Sequence, residues 1–396
     1  MRVAYVADGH YFQLPNGNVY VQAVYGYEFW KRYLDVFDNI VVIARGKKVD
    51  SLDLNNKILA SGTNVTFELV DDFKGIKNLA KNYLCVSRQL EKAIEKYDCV
   101  IVRLPSALSS IATRILLHQH KIFACEIAAN PAETYDERRG AKLIQYVMYR
   151  NCRRACALAN GVLYVTESAL QKVYPSRAKL FGESPAYFET YAANVYLPNE
   201  YFINQNELHF HSTPIKFIHV ANIITGSSKG HYICLEIIKN LNEKGILSEI
   251  TFVGDGPEVP LLEQKCREFE ILDKVRFVGR IAKKEVLLET YRKADIFLLP
   301  SKTEGMPRSL LEAMANGLVC FASDVGGTLE LLDEPYLAKW NDSDTFVQKI
   351  VSVLHDEKLY REIQVRNILK ANEYKYDILQ SRRIAFYKKL KILAKK

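Results

Sequence analysis

Short, wholly apolar runs alternate with longer amphipathic segments along most of the chain. In the first half such runs occupy residues 3–7, 41–44, 99–102 and 161–165, and segments with helical periodicity, 19–33 among them, lie between them. An apolar run of this length between helices is typical of a parallel strand buried on both faces. Strands that alternate with helices build a doubly wound parallel sheet. The sequence therefore predicts an α/β fold.

The pattern is interrupted once and then resumes. Residues 197–214 are polar and irregular, and a second series of predicted strands follows at 215–221, 249–253, 275–278, 296–299 and 319–322. A chain of 396 residues suits two domains of about 200 residues each. We predict two facing Rossmann-like domains with a cleft between them, comprising residues 1–205 and 206–377.

The composition limits the location and partners of the protein. The net charge of +8, from 54 basic and 46 acidic residues, suits nucleotide phosphates or an anionic membrane surface and does not require nucleic acid. The eight cysteines form no C-x-x-C pair, which favours free thiols in a reducing compartment. The first residues have the pattern of a strand and no apolar run approaches the ~20 residues needed to span a bilayer, so we expect neither a signal peptide nor a spanning helix. We expect a cytoplasmic protein, either soluble or peripheral on the inner face of the membrane.

The second half contains an apolar run, a short loop and the start of a helix in direct succession. Pro300 ends the run at 296–299, residues 309–316 have helical composition, and Gly317 ends the helix. Ligands bind at the carboxyl ends of strands in open α/β sheets, and amides at a helix N-terminus favour phosphate. This stretch is therefore the first candidate for a ligand site.

Two acidic residues, Glu304 and Glu312, lie in this stretch. Each would repel a phosphate, so we expect them to accept hydrogen bonds from sugar hydroxyls. The amides of Gly305 and Met306 and the charge of Arg308 would then face the phosphate.

The two glutamates, eight residues apart within P-S-x-x-E-G-M-P-x-x-x-L-E-A-M-A-x-G, resemble the paired-glutamate motif of retaining glycosyltransferases of family four. That family has the two-domain GT-B fold. The resemblance extends from Lys229-Gly230 through Gly254-Asp255-Gly256-Pro257 to Gly326-Gly327. Residues 102–106 and 164–168 also resemble segments of members that assemble bacterial polysaccharides. The resemblance implies that the terminal helix, residues 378–396, crosses back to the first domain.

The resemblance implies a site for a nucleoside diphosphate sugar in the second domain. Glu304, the candidate catalytic residue, would contact the sugar hydroxyls and Glu312 the ribose, while Lys229 would neutralise the diphosphate. The family's usual second cation is replaced here by Asn222, and Arg308 is the candidate to supply its charge. The donor-binding residues implied are Asn222, Lys229, Gly279, Gly305, Met306, Pro307, Arg308, Glu312, Gly326 and Gly327.

Candidates on the acceptor side are fewer. Gly17, in the loop after the first strand, is either a contact of the cleft or an ordinary turn glycine. Arg103, at a strand end, is either a partner of an anionic substrate group or a structural ion-pair residue. Many family members have a histidine after the strand at 122–127, and here only Glu126 and Asn130 stand near that place.

Residues 138–154 combine six basic residues with the apolar set Leu143, Val147, Met148 and Tyr149. Such a basic amphipathic helix either rests on anionic lipid or packs its apolar face on the sheet.

The resemblance implies transfer of a sugar to a glycan or lipid-linked saccharide with retention of configuration, without a protein nucleophile and without a metal or other cofactor. Asp342-Ser343-Asp344 is formally a D-x-D metal motif, but it precedes a helix and is interpreted as its cap. Two alternatives stay open: a noncatalytic partner subunit with the same fold, and another GT-B enzyme such as a sugar-nucleotide epimerase or a phosphorylase.

Overall fold

The computed structural model describes residues 1–22, 25–55, 57–73, 75–131, 141–222 and 227–395. Its chain forms two compact units, one of Met1–Ala192 with Leu379–Lys396 and one of Ala193–Ile378. Each unit contains a mainly parallel sheet with helices connecting its strands, which confirms the predicted α/β class. No helix in the described part of the chain combines the length and the apolar character that a membrane crossing requires.

The first unit contains a parallel sheet in the order β5-β3-β1-β6-β7-β8-β9, extended on one side by the short antiparallel strands β2 and β4. The strands are β1 Arg2–Gln13, β2 Val19–Val21, β3 Asn39–Lys48, β4 Ile58–Leu59, β5 Val65–Asp71, β6 Cys99–Leu104, β7 Ile122–Ile127, β8 Gly161–Tyr164 and β9 Phe188–Tyr191. The helices are α1 Tyr27–Leu34, α2 Gly75–Glu95, α3 Ala107–His118, α4 Ala141–Leu158, α5 Ala169–Val173 and α6 Arg177–Phe181.

Strand β1 has a bulge, and it pairs in parallel with β3 on both sides of that bulge. Its register with β3 shifts between Ala7 and His10, which leaves Asp8 and Gly9 as extra residues. Beyond the bulge, Tyr11 to Gln13 also pair antiparallel with β2. Residues 19–33 are therefore not one helix as predicted, because the first three form strand β2, which pairs with β1 and β4, and the helix starts only at Tyr27.

The second unit has one fully parallel sheet in the order β12-β11-β10-β13-β14-β15. Its strands are β10 Ile215–Val220, β11 Ser248–Val253, β12 Val275–Phe277, β13 Ile296–Leu299, β14 Val319–Ser323 and β15 Leu337–Ala338. Its helices are α7 His231–Glu243, α8 Val259–Glu268, α9 Lys284–Arg292, α10 Arg308–Ala315, α11 Ser343–Leu354 and α12 Glu357–Asn372. Chain order reverses between β10 and β13, and such a switch point opens a crevice at the carboxyl ends of the strands.

The boundary between the units differs from the predicted one, because residues 193–205 group with the second unit. The carboxylate of Glu200 lies 2.7 Å from the Lys284 ammonium, which also lies 4.6 Å from the centre of the buried Tyr201 ring. The amide of Ile203 donates to the carbonyl of Ala315. In the sequence, residues 197–205 look like part of a linker between domains. In the structure, they contact α9 through Glu200 and Tyr201 and α10 through Ile203.

The last helix, α13 Tyr376–Leu393, belongs to the first unit from Leu379 onward. The ring of Phe386 contacts Phe188 edge-on at 5.2 Å, and the ring of Tyr387 lies 5.2 Å from Tyr33. Both side chains and Leu390 are buried. This helix therefore completes the core of the first unit.

Candidate functional site

The strongest candidate site lies at the switch point of the second unit. The chain leaves β10 toward a short turn at Ser227–Lys229 and then α7, and it leaves β13 through residues 300–307 into α10. Because β10 and β13 are neighbouring parallel strands, both connections start from the same edge of the sheet. Residues 225 and 226 of the predicted Lys229 loop lie outside the described residues.

The two connections meet through Lys229 and Glu304. The Lys229 ammonium lies 2.8 Å from Oε1 of Glu304, whose side chain is only 10% exposed, whereas that of Lys229 is 39% exposed. The amide of Lys302 also donates to the carbonyl of Ser228 at 2.9 Å. The structure therefore brings together the predicted diphosphate-binding cation and the predicted sugar-binding carboxylate.

Gly230 permits this close approach. It has a left-handed φ of +75°, and a Cβ at this position would lie 2.0 Å from the carbonyl oxygen of Pro300. An L side chain would meet both the strain of that conformation and a clash with backbone. The residue after Lys229 must be glycine for the two connections to touch.

Gly326 and Gly327 support the Glu304 loop from the other side. The amide of Gly327 donates to the carbonyl of Gly305 at 2.7 Å, and a Cβ on Gly326 would lie 1.7 Å from the carbonyl oxygen of Glu304. These glycines were predicted to approach the donor phosphates. In the structure they approach the backbone of the loop that carries Glu304, and the Gly327 amide is already bonded.

Glu312 has different surroundings from Glu304. It lies on α10 and accepts a hydrogen bond of 3.0 Å from the hydroxyl of the buried Tyr291. Burial raises the pKa of Glu312, although the Tyr291 hydroxyl and the charge of Arg308 act to lower it. Arg308 is the exposed first residue of α10. Glu304 thus pairs with the Lys229 cation, whereas Glu312 accepts a hydrogen bond from the neutral Tyr291 hydroxyl.

The remaining predicted donor residues follow neighbouring strands. Met306 is half-buried and Pro307 is buried directly before α10. Gly254 donates its amide to the carbonyl of Gly279 at 2.9 Å, and a Cβ on Gly254 would lie 3.2 Å from Cα of the exposed Asn222. The ends of β10, β11 and β12 therefore form a continuous backbone edge beside the Lys229 turn.

The prediction that Glu126 lies open to an acceptor is wrong. Its carboxylate is buried in the first unit and accepts hydrogen bonds from the hydroxyls of Tyr5 at 2.6 Å, Tyr33 at 2.9 Å and Tyr387. Nη1 of Arg103 lies 3.1 Å from the same carboxylate. Burial acts to raise the pKa of Glu126, but the arginine charges and tyrosine hydroxyls outweigh it and lower that pKa. Glu126 and Arg103 therefore form a buried polar cluster.

The other two acceptor-side candidates also have local partners. Gly17 has a φ of +86° in the turn between β1 and β2, where its amide donates to the carbonyl of Leu14. The side-chain oxygen of Asn130 accepts a hydrogen bond of 2.7 Å from the Tyr174 hydroxyl. The geometry of Gly17 is that of a hairpin turn.

Two buried histidines beneath the Lys229 turn escaped prediction. Nδ1 of His219 lies 2.8 Å from the carbonyl oxygen of Leu298, and its ring centre lies 4.6 Å from that of His231. Burial lowers the pKa of His231 to about 4, and the charge of Lys229 acts in the same direction. Burial and the neighbouring His231 also lower the pKa of His219. Two features of the sequence could have revealed them: His219 lies within an apolar strand, and His231 directly follows Gly230.

Acidification from pH 6.5 toward 4 is expected to destabilise the second unit. In that range an unfolded histidine, with its usual pKa near 6.5, binds a proton that native His231 does not. Stability therefore falls as the pH falls, by roughly 3 kcal/mol for a shift from 6.5 to about 4. Urea unfolding at successive pH values measures the loss. His231→Gln should flatten the profile, whereas His355→Gln, at an exposed histidine, should not. Identical profiles for His231→Gln and the parent would contradict this assignment.

The D-x-D sequence caps a helix. Oδ1 of Asp342 accepts the amide of Thr345 at 3.0 Å, before α11, and Oδ1 of Asp344 accepts from Asn240. Among the described residues, no three histidine, cysteine or acidic side chains converge as a metal site would require.

Comparison with known proteins adds a family-model match in the second half of the chain and a shared fold. Residues 202–370 match the family model described as glycosyl transferases group 1. Protein CapJ of Staphylococcus aureus is 29% identical over 355 residues, which cover 89% of this chain and 85% of CapJ. The putative colanic acid biosynthesis glycosyltransferase WcaL of Escherichia coli is 30% identical over 152 residues, 36% of each chain. HepE of Anabaena in complex with UDP has a TM-score of 0.67 at 14% identity, over 97% of this chain and 98% of HepE, which shows a shared fold.

Proposed function

We propose a specific reaction for this chain on the premise that it belongs to the glycosyl transferases group 1 and has the GT-B fold, as the sequence predicted. The reaction moves a sugar from a nucleoside diphosphate sugar to a hydroxyl of a glycan or lipid-linked saccharide, with retention of the anomeric configuration. The observation that carries this proposal is the Lys229–Glu304 pair at the switch point of the second unit. It combines a cation for a diphosphate with a carboxylate for sugar hydroxyls.

The chemical task of such a site is to stabilise the leaving group. Negative charge develops on the departing diphosphate as the glycosidic bond breaks, and a cation fixed in place beforehand is most effective there. Lys229 has that role in the proposal. Glu304 holds the ammonium in position and accepts hydrogen bonds from the donor sugar. Retention follows from attack on the same face that the diphosphate leaves, so no protein nucleophile is assigned.

A uridine nucleotide is the first donor to test, because the related fold of HepE was solved with UDP. WcaL is named for colanic acid biosynthesis, which supports a polysaccharide as the product of the pathway. Turnover without a divalent metal is part of the proposal, since Asp342 caps a helix and Lys229 supplies the positive charge at the site.

Hydrolysis and transfer with a panel of UDP-, GDP- and ADP-sugars, each with and without a chelator, test the reaction. Release of nucleoside diphosphate from one donor, unchanged by the chelator, is the expected result. No turnover together with binding to another transferase would favour a noncatalytic partner subunit. Interconversion of the sugar without transfer would favour an epimerase.

Replacing Glu312 with glutamine is expected to weaken donor binding about tenfold, which corresponds to the loss of roughly one charge-assisted hydrogen bond. The proposal places the ribose hydroxyls on this carboxylate, which Tyr291 orients. Calorimetric titration with the donor nucleotide measures the effect. Glu289→Gln, at an exposed acid of α9 that lies 3.9 Å from Lys293, is the matched control. Equal affinity of Glu312→Gln and the parent would refute the ribose role.

Contact with an anionic membrane surface is also proposed. Helix α4 exposes Leu143, Tyr146 and Val147 beside basic residues such as Lys142 and Arg150, and its buried packing face consists of Met148, Cys152, Ala155 and Cys156. The sheet-packing and lipid-contact explanations thus apply to different parts of one helix. Arg138 and Arg139 lie outside the described residues. Sedimentation with vesicles that contain phosphatidylglycerol tests the contact, and equal sedimentation of a Leu143→Asp variant would count against it.

A further inference from the structure

The pairing between the two central strands of the second unit stops early, at the point where the candidate site opens. Strand β10 pairs with β11 as far as Val220, and β13 pairs with β14 as far as Leu299. The two central strands pair with one another only as far as Ile218 and Phe297. Beyond these residues, β10 and β13 as described are no longer joined by a backbone ladder.

The side chain of His219 bridges this opening. Its Nδ1 lies 2.8 Å from the carbonyl oxygen of Leu298, and these two residues are the next ones along the two strands. A carbonyl oxygen only accepts a hydrogen bond, so Nδ1 carries the proton. Burial and the neighbouring His231 lower the pKa of His219, so the ring is neutral at pH 7 and has this one N–H. A side-chain hydrogen bond thus takes the place of the next backbone contact between β10 and β13.

His219 contacts both connections that form the candidate site. Its hydrogen bond holds β13 at Leu298, six residues before Glu304. Its ring centre lies 4.6 Å from that of His231, which stands two residues after Lys229 at the start of α7. Loss of either contact would therefore change the spacing between the Lys229 ammonium and the Glu304 carboxylate.

Packing alone does not account for two buried histidines at this place. His219 is fully buried, His231 is 4% exposed, and both rings lie against the ring of Phe252, at 5.7 and 5.6 Å between centres. Nε2 of each histidine is buried without a hydrogen-bond partner in the described part of the chain. An unpartnered buried polar atom lowers stability, and an apolar side chain would avoid that loss. Residues that break a packing rule in this way are expected at functional sites.

We propose that His219 is a positioning residue, which sets the distance between the Lys229 turn and the Glu304 loop that binding of the donor diphosphate requires. The inference rests on the proposed function and adds to it a residue that touches neither the substrate nor the reacting atoms. His219 acts through β13 on the Glu304 side and through His231 on the Lys229 side. Its Nδ1–H group is the essential part of the ring, because this group bonds to the backbone of β13.

Leucine and asparagine at position 219 separate this role from simple filling of the core. Leucine fills the space without a donor, whereas the asparagine amide nitrogen stands at the same number of bonds from Cβ as Nδ1 and can reach the same carbonyl. His219→Leu should lower kcat/KM for the donor sugar about thirtyfold, the scale of loss expected when a reacting group is misplaced by a fraction of an ångström. His219→Asn should stay within about threefold of the parent, since the hydrogen bond is kept. Initial rates give both values, and urea unfolding confirms that each variant is folded.

A second measurement shows whether His219 acts through Lys229. In a Lys229→Met background the ammonium that His219 positions is gone, so His219→Leu should lower kcat/KM further by less than about threefold. Residues that act independently would instead multiply their separate losses. The same loss from His219→Leu in both backgrounds, or an asparagine variant as impaired as the leucine variant, would overturn the inference.

Asn367→Leu is the matched control. The buried Asn367 donates from Nδ2 to the carbonyl oxygen of Leu318 at 2.8 Å, directly before β14 and so at the edge of the sheet opposite the site. This substitution removes the same kind of hydrogen bond from the same unit and should leave kcat/KM unchanged. Equal kcat/KM for His219→Leu and Asn367→Leu, in a protein that turns over its donor, would overturn the inference and leave the proposed function standing. A parent protein that turns over no nucleotide sugar would refute the proposed function, and the inference with it.

Discussion

Lys229→Met lowers kcat/KM for the donor sugar by about 10² to 10³, the loss that follows removal of one fixed electrostatic contact to a developing charge. The side chain keeps most of its volume, so the change is mainly electrostatic. It also leaves the Glu304 carboxylate, which is 10% exposed, without its cation next to the site proposed for a diphosphate. A carboxylate in that position repels the leaving group and adds to the loss.

Initial rates with the donor identified in the nucleotide-sugar panel give this value. Lys239→Met is the control, because Lys239 pairs with Glu243 at 2.6 Å on α7, the helix that starts just after Lys229. Like Lys229→Met, this substitution deprives a carboxylate of its ammonium partner, but it does so away from the proposed site. Comparable rates for Lys229→Met and Lys239→Met would exclude Lys229 from the reaction.

The second large effect concerns stability. Glu126→Gln is expected to destabilise the first unit by about 3–5 kcal/mol, since it leaves the buried guanidinium of Arg103 without a counter-charge. Tyr387→Phe, which deletes one of three hydroxyl donors to the same carboxylate, should cost only about 1 kcal/mol. The chain has two tryptophans, and Trp30 lies in the first unit with its ring centre 5.1 Å from that of Tyr5. Urea unfolding followed by Trp30 fluorescence in a Trp340→Phe background measures both changes.

The direction of the pH effect supplies a further check on Glu126. Its native pKa is lowered, so its contribution is present above the pKa of the unfolded chain and is lost as the pH falls through the native value. Glu126→Gln should remove that part of the acid sensitivity. Glu95→Gln, at an exposed residue of α2, should change neither stability nor its pH dependence. A Glu126→Gln protein as stable as the parent would show that the cluster does not hold the unit together.

Sequence reasoning succeeded where the relevant geometry is local. The family resemblance implied that Lys229, after β10, and Glu304, after β13, share one site, and they lie 2.8 Å apart where these neighbouring parallel strands end. Glycines such as Gly230 are required by contacts with backbone far along the chain, but their place next to motif residues made them visible.

It failed where distant residues decide the outcome. Glu126 stands near a strand end, as a cleft residue would, but Tyr5 and Tyr387 come from 121 and 261 residues away to bury it. Asn78 and Asn82 are unremarkable in the sequence, but the fold brings them to one pocket with His10 and Gln22, which lie more than 50 residues earlier in the chain. Pairing across such separations leaves no local pattern.

The final helix has a consequence for biosynthesis. Residues 379–390 contribute Phe386 and Tyr387 to the core of the first unit, yet the ribosome makes them only after the whole second unit. During translation the first unit therefore exposes the apolar surface that Phe386 and Tyr387 later cover. Over the same period Glu126 lacks one of its three tyrosine hydrogen-bond donors. A premature stop anywhere in the second half of the message leaves the amino-terminal unit incomplete, although every one of its strands has been made.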